Sequence, residues 1–156
     1  MKKFIQNKLK DQKGLTLIEL LAVIVILAII AAIAIPAIGN IIENSRYSAV
    51  KSDASNAMAA ANIYYTENPE DSDNSVTISE LKSQGFLESV GKLVNTNTIA
   101  NTSDGLKLTT GAISYSGTRS VEFAAATQQQ ITGDNQTGSA NPTAKKIGTG
   151  ATTDSE

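Results

Sequence analysis

From Leu20 to Ile35 the chain contains only Leu, Ala, Val and Ile, and no other stretch limits its fold so strongly. Extended to its flanks, Leu15 to Ile38 makes 24 residues that carry a single charge, Glu19. At about 1.5 Å per helical residue that is roughly 36 Å, enough to cross a hydrocarbon core of about 30 Å. A helix lying on a water-soluble core keeps a polar stripe, whereas this run is apolar all round. The run therefore reads as a membrane helix. Ahead of it, residues 1–14 hold Lys2, Lys3, Lys8, Lys10 and Lys13 against one acid, Asp11. Such a basic head predicts a single pass with the N-terminus cytoplasmic. The remainder of the chain sums to about −6 and offers no broad basic surface for nucleic acid.

Glu19 is the anomaly. A carboxylate left unpaired in lipid costs several kcal/mol, so it must pair, become protonated or reach the headgroups. Two plain readings compete with a specialised one. A cleaved secretory signal would use a small-x-small site such as Ala32-Ile33-Ala34, but its apolar stretch is normally shorter and uncharged. A simple single-pass anchor would let Glu19 snorkel to the cytoplasmic interface.

The order of residues around the acid supports the specialised reading. Gly14-Leu15-Thr16-Leu17-Ile18-Glu19 resembles the processing site of the type IV pilin and pseudopilin family, in which a short basic leader ends in Gly and Glu is the fifth residue after it. The resemblance covers about residues 8–40, with Leu15 where most members carry Phe. It implies cleavage between Gly14 and Leu15 by a prepilin peptidase and N-methylation of the new terminus at Leu15. It also implies that Glu19 pairs with the N-terminal amine of a neighbouring subunit and sets the register of a filament. The implied partners are other copies or other pilins, the peptidase and methylase, an assembly-platform membrane protein with its ATPase, and membrane lipid. The filament would serve secretion, DNA uptake, motility or adhesion, with the outer part of each subunit on the cell surface.

The resemblance further implies an α+β fold, a long N-terminal helix whose membrane half and amphipathic half pack against a small antiparallel β-sheet. In this division residues 1–14 are the leader, 15–38 the membrane or filament-core helix, and 39–68 its amphipathic continuation. Pro36 lacks an amide hydrogen and clashes with the preceding turn, and Gly39 weakens the same region, so a kink is expected there. It is either a harmless bend at the membrane exit or, as the resemblance implies, a segment that loses helicity in filaments. Beyond it Ile41, Ile42, Val50, Ala54, Ala57, Met58, Ala61, Tyr64 and Tyr65 recur at helical spacing, until Asn68-Pro69 ends the pattern. Tyr64 and Tyr65 read as core anchors.

Residues 69–127 read as a globular head. Its acidic opening contains Asp71 and Asp73, but no Gly stands at the turn position of a calcium loop and Lys82 occupies the place of the bidentate acid, which excludes an EF-hand. Thr77 followed by Glu80 makes a capping box flanked by Val76 and Leu81, and Gly85 is suited to stop that short helix. Short β-prone runs follow at 98–100, 106–109, 112–115 and 121–125, separated by turn residues. Residues 128–156 are polar and low in complexity and read as a flexible tail or a loosely draped segment. Many relatives close this region with a disulfide; this chain has no Cys.

An enzyme is disfavoured. There is no Cys or His, no nucleophile–base pair, no phosphate-cradling glycine loop and no metal-ligand spacing, so no cofactor, metal or catalytic residue is predicted. The leading expectation is a filament subunit. Its alternative is a membrane-anchored surface protein that binds a partner and never polymerises.

Overall fold

The computed structural model describes residues 16–70 and 73–149. The chain divides into two compact units, one ending at Gly39 and the other beginning at Asn40. Helix α1, Leu17–Glu67, runs through both and is 51 residues long.

In the first unit α1 matches its sequence. It is the one helix among the described residues that is long and apolar enough to cross a membrane, and none of its most apolar window is buried. The helix assignment continues through Pro36 and Gly39. A Cβ added at Gly39 would meet nothing within 4 Å, so packing does not require glycine there.

In the second unit α1 is the spine. Tyr47, Val50, Ala54, Ala57, Met58, Ala60 and Ala61 form its buried stripe at spacings of three and four. Small residues dominate the stripe, which lets the covering strands approach the helix backbone. The stripe begins later than its periodicity predicts. Ile41 and Ile42 remain exposed, because the covering chain first meets α1 at Glu43.

Strand β1, Ser75–Thr77, leads directly into helix α2, Ile78–Ser83. The capping box forms as expected: the Glu80 amide donates to the Thr77 hydroxyl, and the Thr77 amide donates to the Glu80 side chain. At the other end Gly85 takes φ +84°, the Phe86 amide donates to the Leu81 carbonyl and the Gly85 amide to that of Lys82. This is the helix-ending arrangement that a left-handed glycine permits. Strands β2 (Thr98–Thr102) and β3 (Gly105–Thr109) complete an antiparallel sheet in the order β1-β2-β3. Strands β4 (Ile113–Ser116) and β5 (Arg119–Ala124) form an antiparallel hairpin with an irregularity between Ser114 and Ser116. An isolated bridge between Leu108 and Ala126 links the two groups, and beside it the Thr110 amide donates to the Phe123 carbonyl at 2.8 Å. The α+β, pilin-like fold is thus present, with two three-stranded sheets in place of the single one anticipated.

The reading of 128–156 as a flexible tail needs correction. Helix α3, Gln128–Gly133, is capped by Thr127 and Gln130, and strand β6, Ala144–Gly148, lies parallel to β5. Residues 150–156 lie outside the described residues. Two isoleucines account for the difference: Ile131 is wholly buried and Ile147 nearly so. Main-chain pairing with β5 supplies the rest, and a polar sequence satisfies that as well as an apolar one.

The core of the second unit joins the α1 stripe to Val76, Ile78, Leu81, Ile99, Leu108, Val121 and Phe123. Tyr64 and Tyr65 pack against it as anticipated, Tyr64 edge-on to Phe86 and the Tyr65 hydroxyl donating to the Ile99 carbonyl at 3.2 Å.

Candidate functional site

Gly14 and Leu15, the expected processing residues, lie outside the described residues. Glu19 lies inside them, in the first turn of α1. The Thr16 amide donates to Glu19 Oε2 at 2.8 Å, and the Thr16 hydroxyl donates to the same oxygen at 2.9 Å. The Glu19 amide returns a bond to Thr16 Oγ1 at 3.3 Å. This is a capping box, and the carboxylate lies at the helix end whose free amides favour negative charge. Among the described residues no lysine or arginine forms an ion pair with Glu19. Among the described residues its donors all belong to the start of its own helix and reach one of its two oxygens. The sequence held this signal, since Thr16-x-x-Glu19 repeats the pattern of Thr77-x-x-Glu80.

A second cluster, which sequence reading did not single out, lies in the other unit around Asp134. The Tyr47 hydroxyl donates to Asp134 Oδ2 at 2.5 Å. Lys51 donates to the Asp134 carbonyl at 2.5 Å and lies 3.4 Å from its carboxylate. Lys145 pairs with Oδ1 and also donates to Gln136 at 2.6 Å. Both ammonium groups lie over the Tyr47 ring, at 5.5 and 5.7 Å from its centre. Burial pushes the Asp134 carboxyl upward, but hydrogen bonds from Lys145 and Tyr47 and the charges of both lysines outweigh it and hold the group below its ordinary value. Burial, then the hydrogen bond to Asp134 and its charge, push the Tyr47 phenol up. The only sequence trace of this cluster is that Asp134, Lys145 and Lys146 are the sole charges between Thr127 and Thr149.

Nothing in the Asp134 cluster presents an activated nucleophile; each polar group is spent on another. Its chemistry is that of a fastening. The Thr16–Glu19 pair is different in kind, a negative group at the start of a helix otherwise fit for lipid. Residues 9–35, which span that pair, match the prokaryotic N-terminal methylation motif. No curated protein and no solved structure matches the chain. The match runs from the basic head into the apolar helix and no further, and the chain thus carries the type IV pilin and prepilin signal at its N-terminus.

Proposed function

We propose that this chain is a structural subunit, a pilin or pseudopilin, that polymerises into a type IV pilus or pilus-like filament. The observation that carries the reading is the methylation motif over residues 9–35, continuous with an apolar stretch of α1, Leu17 to Ile38, whose lone acid is Glu19. A prepilin peptidase cuts between Gly14 and Leu15 on the cytoplasmic side, and the Leu15 amine is methylated. Until a neighbour arrives, Thr16 satisfies one oxygen of Glu19. The second oxygen is left to accept the amine of an adjacent subunit. The apolar helices then exchange lipid for one another, with Ala28, Ala31, Ala32 and Ala34 allowing close approach. A platform protein and an ATPase drive extrusion, and the second unit is displayed on the surface.

The test is intact-mass measurement of the mature protein together with the E19A variant. The mature chain should begin at Leu15 and carry one added methyl group. A chain that keeps its lysine head, or is cut near Ala34, removes the reading. E19A should insert normally in the membrane and yield no sheared filaments.

One observation favours the rival, a membrane-anchored surface protein that remains monomeric. Glu19 already has donors within its own helix and so does not depend on a neighbour for them. On that reading Glu19 is only a helix cap, and E19A leaves surface display unchanged.

A further inference from the structure

The segment Asp134–Thr143, between α3 and β6, crosses the first covered turns of α1 and touches them repeatedly. Asp134 takes bonds from Tyr47 and Lys51. The Ser139 amide donates to Asn44 Oδ1 at 2.8 Å. Gly138 lies so close that a Cβ there would be 2.6 Å from the Tyr47 Cβ and 2.7 Å from the Glu43 carbonyl oxygen. From the sheet side the Tyr115 hydroxyl donates to the Gly138 carbonyl at 3.0 Å. Arg119 donates to the carbonyls of Gly138 and Asn141 at 3.2 and 2.6 Å and pairs with Glu43.

Two features set this segment apart from the core. No large apolar side chain is buried between Ile131 and Ile147, so polar contacts fasten Asp134–Thr143, and Ile147 is the one large apolar side chain that ties β6 to the core. One of its buried atoms, Asn141 Oδ1, has no hydrogen-bond partner. Moreover, β6 is an edge strand, and its departure leaves the β4–β5 hairpin paired. Regions held mainly by polar contacts open below the free energy of global unfolding.

We propose that residues 134–148 form a strap, seated by Asp134, that does the work of a cross-link between the C-terminal segment and α1, and that opens as a unit separately from the rest of the fold. Seated, it holds residues 43–51 of α1 in place. Unseated, it frees those turns while Ala54 to Tyr65 remain packed against α2 and β1–β3. Asp134 is the hub because one carboxylate answers two ammonium groups. Its removal leaves Lys51 and Lys145 facing each other beside Tyr47. This inference stands independently of polymerisation.

The experiment is hydrogen exchange read by mass spectrometry on the full chain in detergent micelles. In D134N, amides of 43–51 and of 135–148 should exchange together, at least about tenfold faster than in the wild type. Amides of 54–65 and 98–109 should keep their wild-type rates. The milder N44A variant, which removes the bond from Ser139, should shift the same two segments by roughly threefold and nothing else. Unchanged rates in both variants overturn the strap. So does a uniform rise across the second unit in N44A, since the segment would then be part of the core.

Discussion

The two ends of α1 are both rich in apolar residues and have opposite fates. Between Leu17 and Ile38 the side chains are Leu, Ile, Val and Ala except for Glu19 and Pro36, and the large apolar ones are 46% exposed or more. Between Val50 and Ala61 the inward side chains are mostly alanines, and they are 4% exposed or less. The more hydrophobic half is thus the uncovered one. What decides burial is whether the same chain supplies a cover. The second half has two sheets to receive it; among the described residues nothing covers the apolar window of the first.

That contrast breaks most easily at the core. Phe123→Ala, a fully buried ring, should destabilise the second unit by about 3–5 kcal/mol in urea unfolding followed in detergent. Ile30→Ala, at a side chain 56% exposed, should leave that transition within about 0.5 kcal/mol of wild type. An equal loss at both positions would mean that the first half is covered after all. The alanines sharpen the point. Ala57→Leu forces three added carbons into a filled site and should cost about 1–3 kcal/mol, whereas Ala28→Leu should not move the transition.

The Asp134 cluster extends the comparison to pH, because in the second unit charges are fastened within the chain. Its partners hold the folded carboxyl below the ordinary value, near 3.9 for a free aspartate. Its contribution is therefore complete above that ordinary value and is lost as pH falls through the lower folded one. With charge-assisted bonds worth roughly 1.5–3 kcal/mol, D134N should be less stable than wild type by about that much at pH 7. The gap should narrow as pH falls below the ordinary aspartate value and close below the lower folded one, read from urea midpoints at each pH. A constant gap would show that the loss comes from packing and not from charge.

Legibility followed the same division. The apolar helix, the Thr77 cap and the Gly85 stop could be read because each rests on neighbours within a turn or two, and the tyrosine anchors because they follow the helical spacing of α1. Four strands were anticipated near their true places for the same reason. The order of those strands, the parallel β6 and the Asp134 cluster could not, since they join residues some 20 to 90 positions apart. Composition misled most over residues 128–149. Two buried isoleucines, the pairing of β6 with β5 and the contacts of Asp134 hold them, and an average over that stretch conceals so few residues. At Glu19 the cap was legible too, since Thr16-x-x-Glu19 has the spacing of Thr77-x-x-Glu80.

The finest test sets those two caps against each other. Thr16–Glu19 and Thr77–Glu80 have nearly the same geometry, with amide-to-carboxylate distances of 2.8 and 2.7 Å and hydroxyl-to-carboxylate distances of 2.9 and 2.8 Å. Thr77→Ala exposes the start of a six-residue helix to water and should cost about 1 kcal/mol of unfolding free energy. Thr16→Ala should leave that free energy unchanged, because the first turn of α1 belongs to the other unit. Its effect should appear in assembly. With its internal donors reduced, Glu19 depends more on a neighbour's amine, so the variant should still form filaments while the E19A variant does not. If Thr16→Ala abolishes filaments as completely as E19A, the threonine takes part in the subunit contact itself and is more than a cap held in reserve.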